Sequence, residues 1–402
     1  MRYGIGIDVS KGKSTVSVIS EDYEIILTPF EFTHDIDGIS ELLQKIKKFP
    51  KEECKVILEH TGVYHLPIMC ALIKEDYFVV GENAFKIKKY LDRDIRKAKT
   101  DKKDSLKLAE YAIENWNRLI QTQEIDKTYN TLKFLSRQYL ELTSMKIKGK
   151  VNFSNLCDMI FPGYYQLLND NNFELGIRIL QKYSHPSLIT QKEQALFVNE
   201  IDTLAKSLGH KSAGRTLAYK VFDLAQKTIS SYDYDEYIQL SVQKSTEVLI
   251  ELIKSTNEII SKIDELASTL PEYKIINEMP GCGKKLTGRL IAEIGDVRRF
   301  KNAGSLIAYA GLDVPPYQSG KFKATEVHIS KRGNKYLRKT GYELMKCIKS
   351  SCKESNEVLD YILKKETEGK CKKSAKIAGL NKFLRIYYGS VKKLYKKLEE
   401  TA

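Results

Sequence analysis

No stretch of about eighteen apolar residues occurs in this chain, so a membrane-spanning helix is not expected. The opening, MRYGIGIDVSKGK, enters a strand-like pattern at once and lacks the apolar core of a signal peptide. The seven cysteines include no CxxC pair, and no Cys/His pair at suitable spacing supports a zinc site. An odd number of unpaired thiols in a long chain reads as a reduced, cytoplasmic set. No internal repeat or low-complexity tract is present. The Gly-rich turn near residue 281 does not fit the GxxxxGK[ST] phosphate loop.

What remains is ordinary globular composition. Of the 402 residues, 42% are hydrophobic and 10% aromatic, enough for a sizeable core and too much for a disordered protein. The length suggests two or three domains. The formal charge is +14, and it is segregated. Residues 271–402 hold 29 basic and 14 acidic side chains, a net +15, against 37 and 38, a net −1, in residues 1–270. A positive excess confined to the last third points to a polyanion partner there, most simply nucleic acid. Solubility alone would explain the total but not its placement.

Hydropathy patterning predicts strands over 3–9, 14–20, 23–28, 55–59 and 77–80. Helices are predicted over 36–49, 65–75 and 101–116. Three strands followed by alternating helices and strands imply a mixed α/β sheet flanked by helices. The middle reads as helical, with a break near Phe161-Pro162-Gly163. From Leu249 a heptad runs through Leu252, Thr256, Ile259, Ile263, Leu266 and Leu270. It allows a coiled coil, and equally a helix packed within its own domain. The last 40 residues, Lys-rich with interleaved Tyr and Leu, read as a basic helix. The division expected is 1–120, 121–270 and 271–402.

Four acids stand at element ends. Asp8 closes the first strand and Glu59 the strand KVILE. Asp101 and Asp104, in KTDKKDS, share one face at a helix start. Hard divalent cations want oxygen ligands, and a few carboxylates holding Mg²⁺ (or Mn²⁺) can activate a hydroxyl and stabilise a leaving oxygen. Taken singly, each acid reads as a solvated charge, and Asp101 and Asp104 also suit a helix N-terminus electrostatically.

Three basic motifs follow. Pro280-Gly281-Cys282-Gly283 turns between two helical segments, with Lys284 and Lys285 beside the amides that open the second. That arrangement suits a DNA phosphate, as in a helix-hairpin-helix. Pro315-Pro316 forces an extended segment before Tyr317-Gln318-Ser319-Gly320. A lone Ser hydroxyl is a weak nucleophile, and on sequence alone Ser-Gly is a turn. Around it, Lys321, Lys331, Arg332, Lys335 and Arg338 read as phosphate contacts or as a solvated basic face.

Taken together, GIDVSK, LEHTGVY, KTDKKDS, PGCGKKLTGRLIAEIG, YAGLDVPPYQSG and ISKRGNKYLR resemble, in order, the landmarks of the DEDD insertion-sequence transposases. This is the insertion sequence 110 group, which includes the Piv/MooV invertases and RNA-guided bridge recombinases. The resemblance covers the first 115 residues and about 275–350. It implies an RNase H-like (RuvC-like) N-terminal domain with Asp8, Glu59, Asp101 and Asp104 as its DEDD set and Mg²⁺ as cofactor. It also implies a helical coiled coil for dimerisation and a mainly α C-terminal domain carrying a nucleophilic Ser319. Strand exchange through a phosphoserine, donor and target DNA as substrates, a structured guide RNA, a dimer or tetramer, and a place in the cytoplasm on the nucleoid are further implications. Family members often carry a small residue where this chain has His60. Two other readings stand beside it: a RuvC-like nuclease using metal-activated water with Ser319 idle, and a nonenzymatic nucleic-acid-binding protein.

Overall fold

The computed structural model describes residues 1–59, 63–91, 100–122, 126–210, 213–314, 318–319, 322–323, 328–351 and 354–401, with backbone alone at 85, 213, 318, 319, 322 and 323. The chain forms two compact units, Met1–Ile125 and Asp126–Ala402.

The first unit runs β1 (Tyr3–Val9), β2 (Lys13–Ser20), β3 (Ile25–Thr33), α1 (Ile36–Ile46), β4 (Cys54–Glu59), α2 (His65–Lys74), β5 (Phe78–Glu82), α3 (Ala84–Leu91) and α4 (Asp101–Glu114). Its five strands lie in the order β3-β2-β1-β4-β5. The first three pair antiparallel, and β4 and β5 add in parallel. This mixed sheet followed by a helical body fits the expected RNase H-like class. β3 runs past Pro29 to Thr33, beyond the predicted end at 28. As an edge strand it tolerates a residue that cannot donate to a ladder.

Alternation along β1 sorts the two faces of the sheet. Ile5, Ile7 and Val9 point into a core with Val56, Leu58, Leu42 and Leu72. Gly4, Gly6 and Asp8 point the other way, toward α4. That helix begins at Thr100, whose Oγ1 accepts from the Lys103 N–H. It buries Leu108, Tyr111 and Ala112 against Ile57 and Val80.

The second unit contains α5 (Lys127–Ile160), α6 (Phe173–Lys182), α7 (Pro186–Thr190), α8 (Gln194–Ser207), α9 (Ala213–Lys227), α10 (Glu236–Ala267), α11 (Tyr273–Asn277), α12 (Lys284–Ile294), α13 (Ala303–Ala310), β6 (Gln318–Ser319), β7 (Phe322–Lys323), α14 (Lys335–Ser351), α15 (Glu357–Thr367) and α16 (Lys372–Thr401). The stretches 121–270 and 271–402 that the sequence separates thus fall, from 126 on, in one unit. One reason is a buried triad: the Tyr129 and Tyr395 hydroxyls each donate to the Glu272 carboxylate at 2.6 Å.

The heptad packs inside its own unit. α10 buries Val242, Thr246, Leu249, Thr256, Ile260, Ile263 and Ala267. Gly149 of α5 faces Leu249, and Lys146 of α5 donates to Thr256 Oγ1 at 3.0 Å, so the two long helices run antiparallel. Leu249, Thr256 and Ile263 are seam residues, as their spacing predicts. Leu252, Ile259 and Leu266 are only flanking, because the second row of the seam falls one residue later, at Ile260 and Ala267. Gly288 of α12 closes over that end of the seam, against Ile263 and Ala267.

Candidate active site and nucleic-acid interface

The first unit gathers acids at one end of its sheet. β1 and β4 pair in register from Tyr3↔Cys54 to Ile7↔Leu58, so the next step sets Asp8 beside Glu59 on neighbouring strands, about 4.8 Å apart in backbone. The helix is brought over this pair by two glycines. A Cβ on Gly4 would stand 2.3 Å from the Ala109 carbonyl oxygen, and one on Gly6 would stand 2.0 Å from that of Ser105. Two strand residues advance about 6.6 Å and four helix residues about 6 Å. The same progression carries Asp8 to the level of Asp101, with Asp104 one turn along. Asp104 is 7% exposed and Asp101 is exposed. A second observation agrees. The Lys13 ammonium, at the start of β2, is held above its ordinary pKa first by its hydrogen bond to Glu31 and, more weakly, by the charge of Asp101.

A fifth carboxylate, not expected from sequence, adjoins the set. Glu59 pairs with Glu82 across β4 and β5, and Glu82 Oε1 accepts from the Tyr111 hydroxyl at 3.1 Å and from Lys86 at 2.6 Å. The signal lay in its position: Glu82 ends YFVVGE as Glu59 ends KVILE, but the strand prediction stopped at Val80. The donors at this end of the sheet are carboxylate oxygens, the chemistry a hard divalent cation requires. Among the described residues no group of three or more His, Cys, Asp or Glu side chains is arranged to hold a metal ion. His60 lies outside those residues.

In the second unit the segment around Ser319 stands on a stitched stem. The Ser330 N–H donates to the Asp313 carbonyl, Lys331 N–H to Gly311, and Asn334 N–H to Tyr309. The Ser330 hydroxyl donates to the Asp313 carboxylate at 2.5 Å. Two glycines allow the backbones to touch. A Cβ on Gly333 would meet the Tyr309 carbonyl at 2.3 Å, and one on Gly311, whose φ is +65°, would meet the Gly333 nitrogen at 2.6 Å. Beneath the stem lies Glu293 of α12, 1% exposed, accepting from Asn334 Nδ2 at 2.8 Å, with Arg137 at 3.9 Å. Burial would raise the Tyr309 phenol, but the charges of Lys133 and Arg299, with hydrogen bonds to Arg299 and Asn334, bring it below its ordinary pKa. The three C-terminal motifs are therefore one structure. Above the stem, β6 and β7 pair antiparallel with Ser319 opposite Phe322. Lys321 lies outside the described residues.

The basic residues divide. Lys284 and Lys285 are exposed at the start of α12, which has no side-chain cap. The turn before it depends on Gly281, with φ +73° and Ile348 2.4 Å from where a Cβ would sit. Lys146 of α5 is lowered chiefly by burial and then by the like charges of Lys150 and Lys285. Lys331, Arg332 and Lys335 are exposed. Arg338 differs from its expected phosphate role: it is half-buried and donates to the carbonyls of Ala310 at 2.9 Å and Gly333 at 3.0 Å, clamping the stem. Among the described residues no helix is long and apolar enough to cross a membrane.

Comparison with known proteins follows this geometry. Residues 5–162 match the DEDD transposase family of IS110, and residues 273–359 match a family described as "Transposase IS116/IS110/IS902 family". An insertion element IS116 protein of 44.8 kDa from Streptomyces clavuligerus is 22% identical over 372 residues, 92% of this chain and 89% of that protein. The pilin gene-inverting proteins of Moraxella bovis and Moraxella lacunata are each 30% identical over 142 residues, 34% of this chain and 44% of theirs. With both matches in order, one on the acid-bearing unit and one on the stem beneath Ser319, the chain belongs to the IS110 family of DEDD transposases, enzymes that cut and rejoin DNA.

Proposed function

We propose that this transposase exchanges DNA strands through Ser319, assisted by Asp8, Glu59, Asp101 and Asp104. The observation that carries the acid half is the close packing of α4 on Gly4 and Gly6, which brings acids from two strands and one helix to the same end of the sheet. In the first step Ser319 Oγ attacks a DNA phosphorus. One P–O bond forms to the serine and one breaks to deoxyribose, and the hydroxyl proton passes to the leaving oxygen. A deoxyribose hydroxyl then attacks the phosphoserine and releases the serine. A divalent ion, Mg²⁺ or Mn²⁺, bound by the four acids would neutralise phosphate charge. The stem holds the serine segment, and Lys284, Lys285, Lys331, Arg332 and Lys335, with Lys321, grip the backbone.

Donor and target DNA and a structured guide RNA are the partners in this reading, and a dimer or tetramer is its assembly. The segregated charge supports nucleic acid as the ligand of residues 271–402. The test pairs two variants on supercoiled donor plasmid with Mg²⁺. Ser319→Ala and Asp104→Asn should each abolish strand breakage while binding persists. Cleavage retained by Ser319→Ala but lost in Asp104→Asn would replace this reading with a metal-dependent nuclease.

A further inference from the structure

Residues 361–385 and the stem of the serine segment line a half-open cavity of about 640 Å³. Its lining comes from both arms of the stem, Leu312 and Val314 on one side and His328, Ile329 and Lys331 on the other, and from α15 and α16. Five of its residues are cations, Lys331, Lys370, Lys373, Lys382 and Arg385, and among the described residues no carboxylate lines it. Lys331 holds a left-handed φ of +55°, a strained conformation for a lysine, and its N–H closes the stem on Gly311. The residue that fixes the stem thus also lines the cavity.

The walls are not uniformly polar. Leu312, Val314, Ile377 and Ala378 supply apolar surface, and Tyr361 supplies an aromatic ring. Arg385 Nε donates to Asn381 Oδ1 at 3.0 Å, orienting a guanidinium beside an amide. Cations alone would suit any anion. Cations around an apolar, aromatic floor suit phosphates joined to bases, and the volume lies within the range of about 300–1,000 Å³ usual for ligand pockets.

We propose that this cavity binds an unpaired nucleic-acid strand, seating one or two nucleotides at the foot of the segment that carries Ser319. It would position the strand for attack without touching the reacting atoms. The ligand assignment rests on the strand-exchange reading, and the cavity's charge and shape are independent of it. The α16 contribution is not visible in sequence, where residues 372–401 read as a plain basic helix.

The test measures fluorescence anisotropy of full-length protein with ~12-nucleotide single-stranded DNA, RNA of the same sequence, and duplex DNA. The double variant Lys373→Glu/Arg385→Glu should lose at least about tenfold in single-strand affinity. Its log-affinity against log-salt slope should flatten by about 1.4, for two phosphate contacts at about 0.7 each. Ala378→Trp, which narrows the cavity and keeps every charge, should weaken the single strand and spare the duplex. Loss with DNA, RNA or both identifies the strand the cavity takes. Unchanged single-strand affinity in both variants would overturn the proposal, as would a free mononucleotide binding as tightly as the strand. Ser319→Ala should bind single strands like wild type, so a failure of the serine chemistry and a failure of the cavity register in different assays.

Discussion

Gly6→Ala is the sharpest structural perturbation of the acid end. Its new methyl would stand 2.0 Å from the Ser105 carbonyl oxygen and 2.3 Å from the Ala109 nitrogen, both backbone atoms of α4. No rotamer relieves backbone, so the helix must recede by about 1 Å to restore ordinary contact. Overpacking of this kind costs about 1–3 kcal/mol, which for a unit of this size lowers Tm by roughly 4–15 °C. The recession also withdraws Asp101 and Asp104 from Asp8 and Glu59, and a displacement near 1 Å costs about 10²-fold in rate. Calorimetry gives the first quantity, and plasmid cleavage below the transition temperature gives the second. A Gly6→Ala protein with wild-type Tm and cleavage within twofold of wild type would refute the packing argument. Gly12→Ala is the control: it has no atom within 4 Å of its Cβ, and its φ of +81° predicts a stability cost with less effect on rate.

Three further outcomes follow from the second unit. Gly333→Ala, whose Cβ would meet the Tyr309 carbonyl at 2.3 Å, should open the stem and reduce cleavage at least about 10²-fold while DNA affinity changes little; equal losses of both would contradict it. Lys284→Glu/Lys285→Glu should weaken duplex binding and flatten its salt slope by about 1.8, and an unchanged slope would remove these lysines from the interface. Glu200, held from an ordinary 4.5 down to about 2 first by its hydrogen bonds to Lys182 and Lys192 and then by the Tyr183 hydroxyl, gives stability that is complete above pH 4.5 and is lost as pH falls toward 2. Glu200→Gln should flatten the acid limb of the unfolding curve over that window, and an unaltered limb would discount the cluster.

The local elements were legible because they are written locally. Alternation in YGIGIDV, the amphipathic spacing of Leu106, Leu108, Ala109, Ala112 and Ile113 in the helix after KTD and the breaks at Pro and Gly all act within a few residues. The acids stood out as candidates for the same reason, since Asp8 and Glu59 close recognisable strands and Asp101 and Asp104 open a recognisable helix. What could not be read depends on pairing between distant residues. The register that sets Glu59 beside Asp8 spans 51 positions, and the Glu82 neighbour appears only once β5 is aligned with β4. Arg338 reads as one more cation until its donors are seen on Ala310 and Gly333. The heptad offered two partners with the same spacing, another chain or another helix, and only packing shows α5 covering its seam.

The central claim is that Ser319 becomes covalently joined to DNA with the help of the acid end. Its most direct measurement traps the reaction on radiolabelled donor DNA under denaturing conditions and maps the modified peptide. The account predicts a protein–DNA adduct on the peptide containing Ser319, absent from Ser319→Ala and from Asp104→Asn. Broken DNA with no adduct in the wild-type protein, or an adduct on another residue, would contradict it.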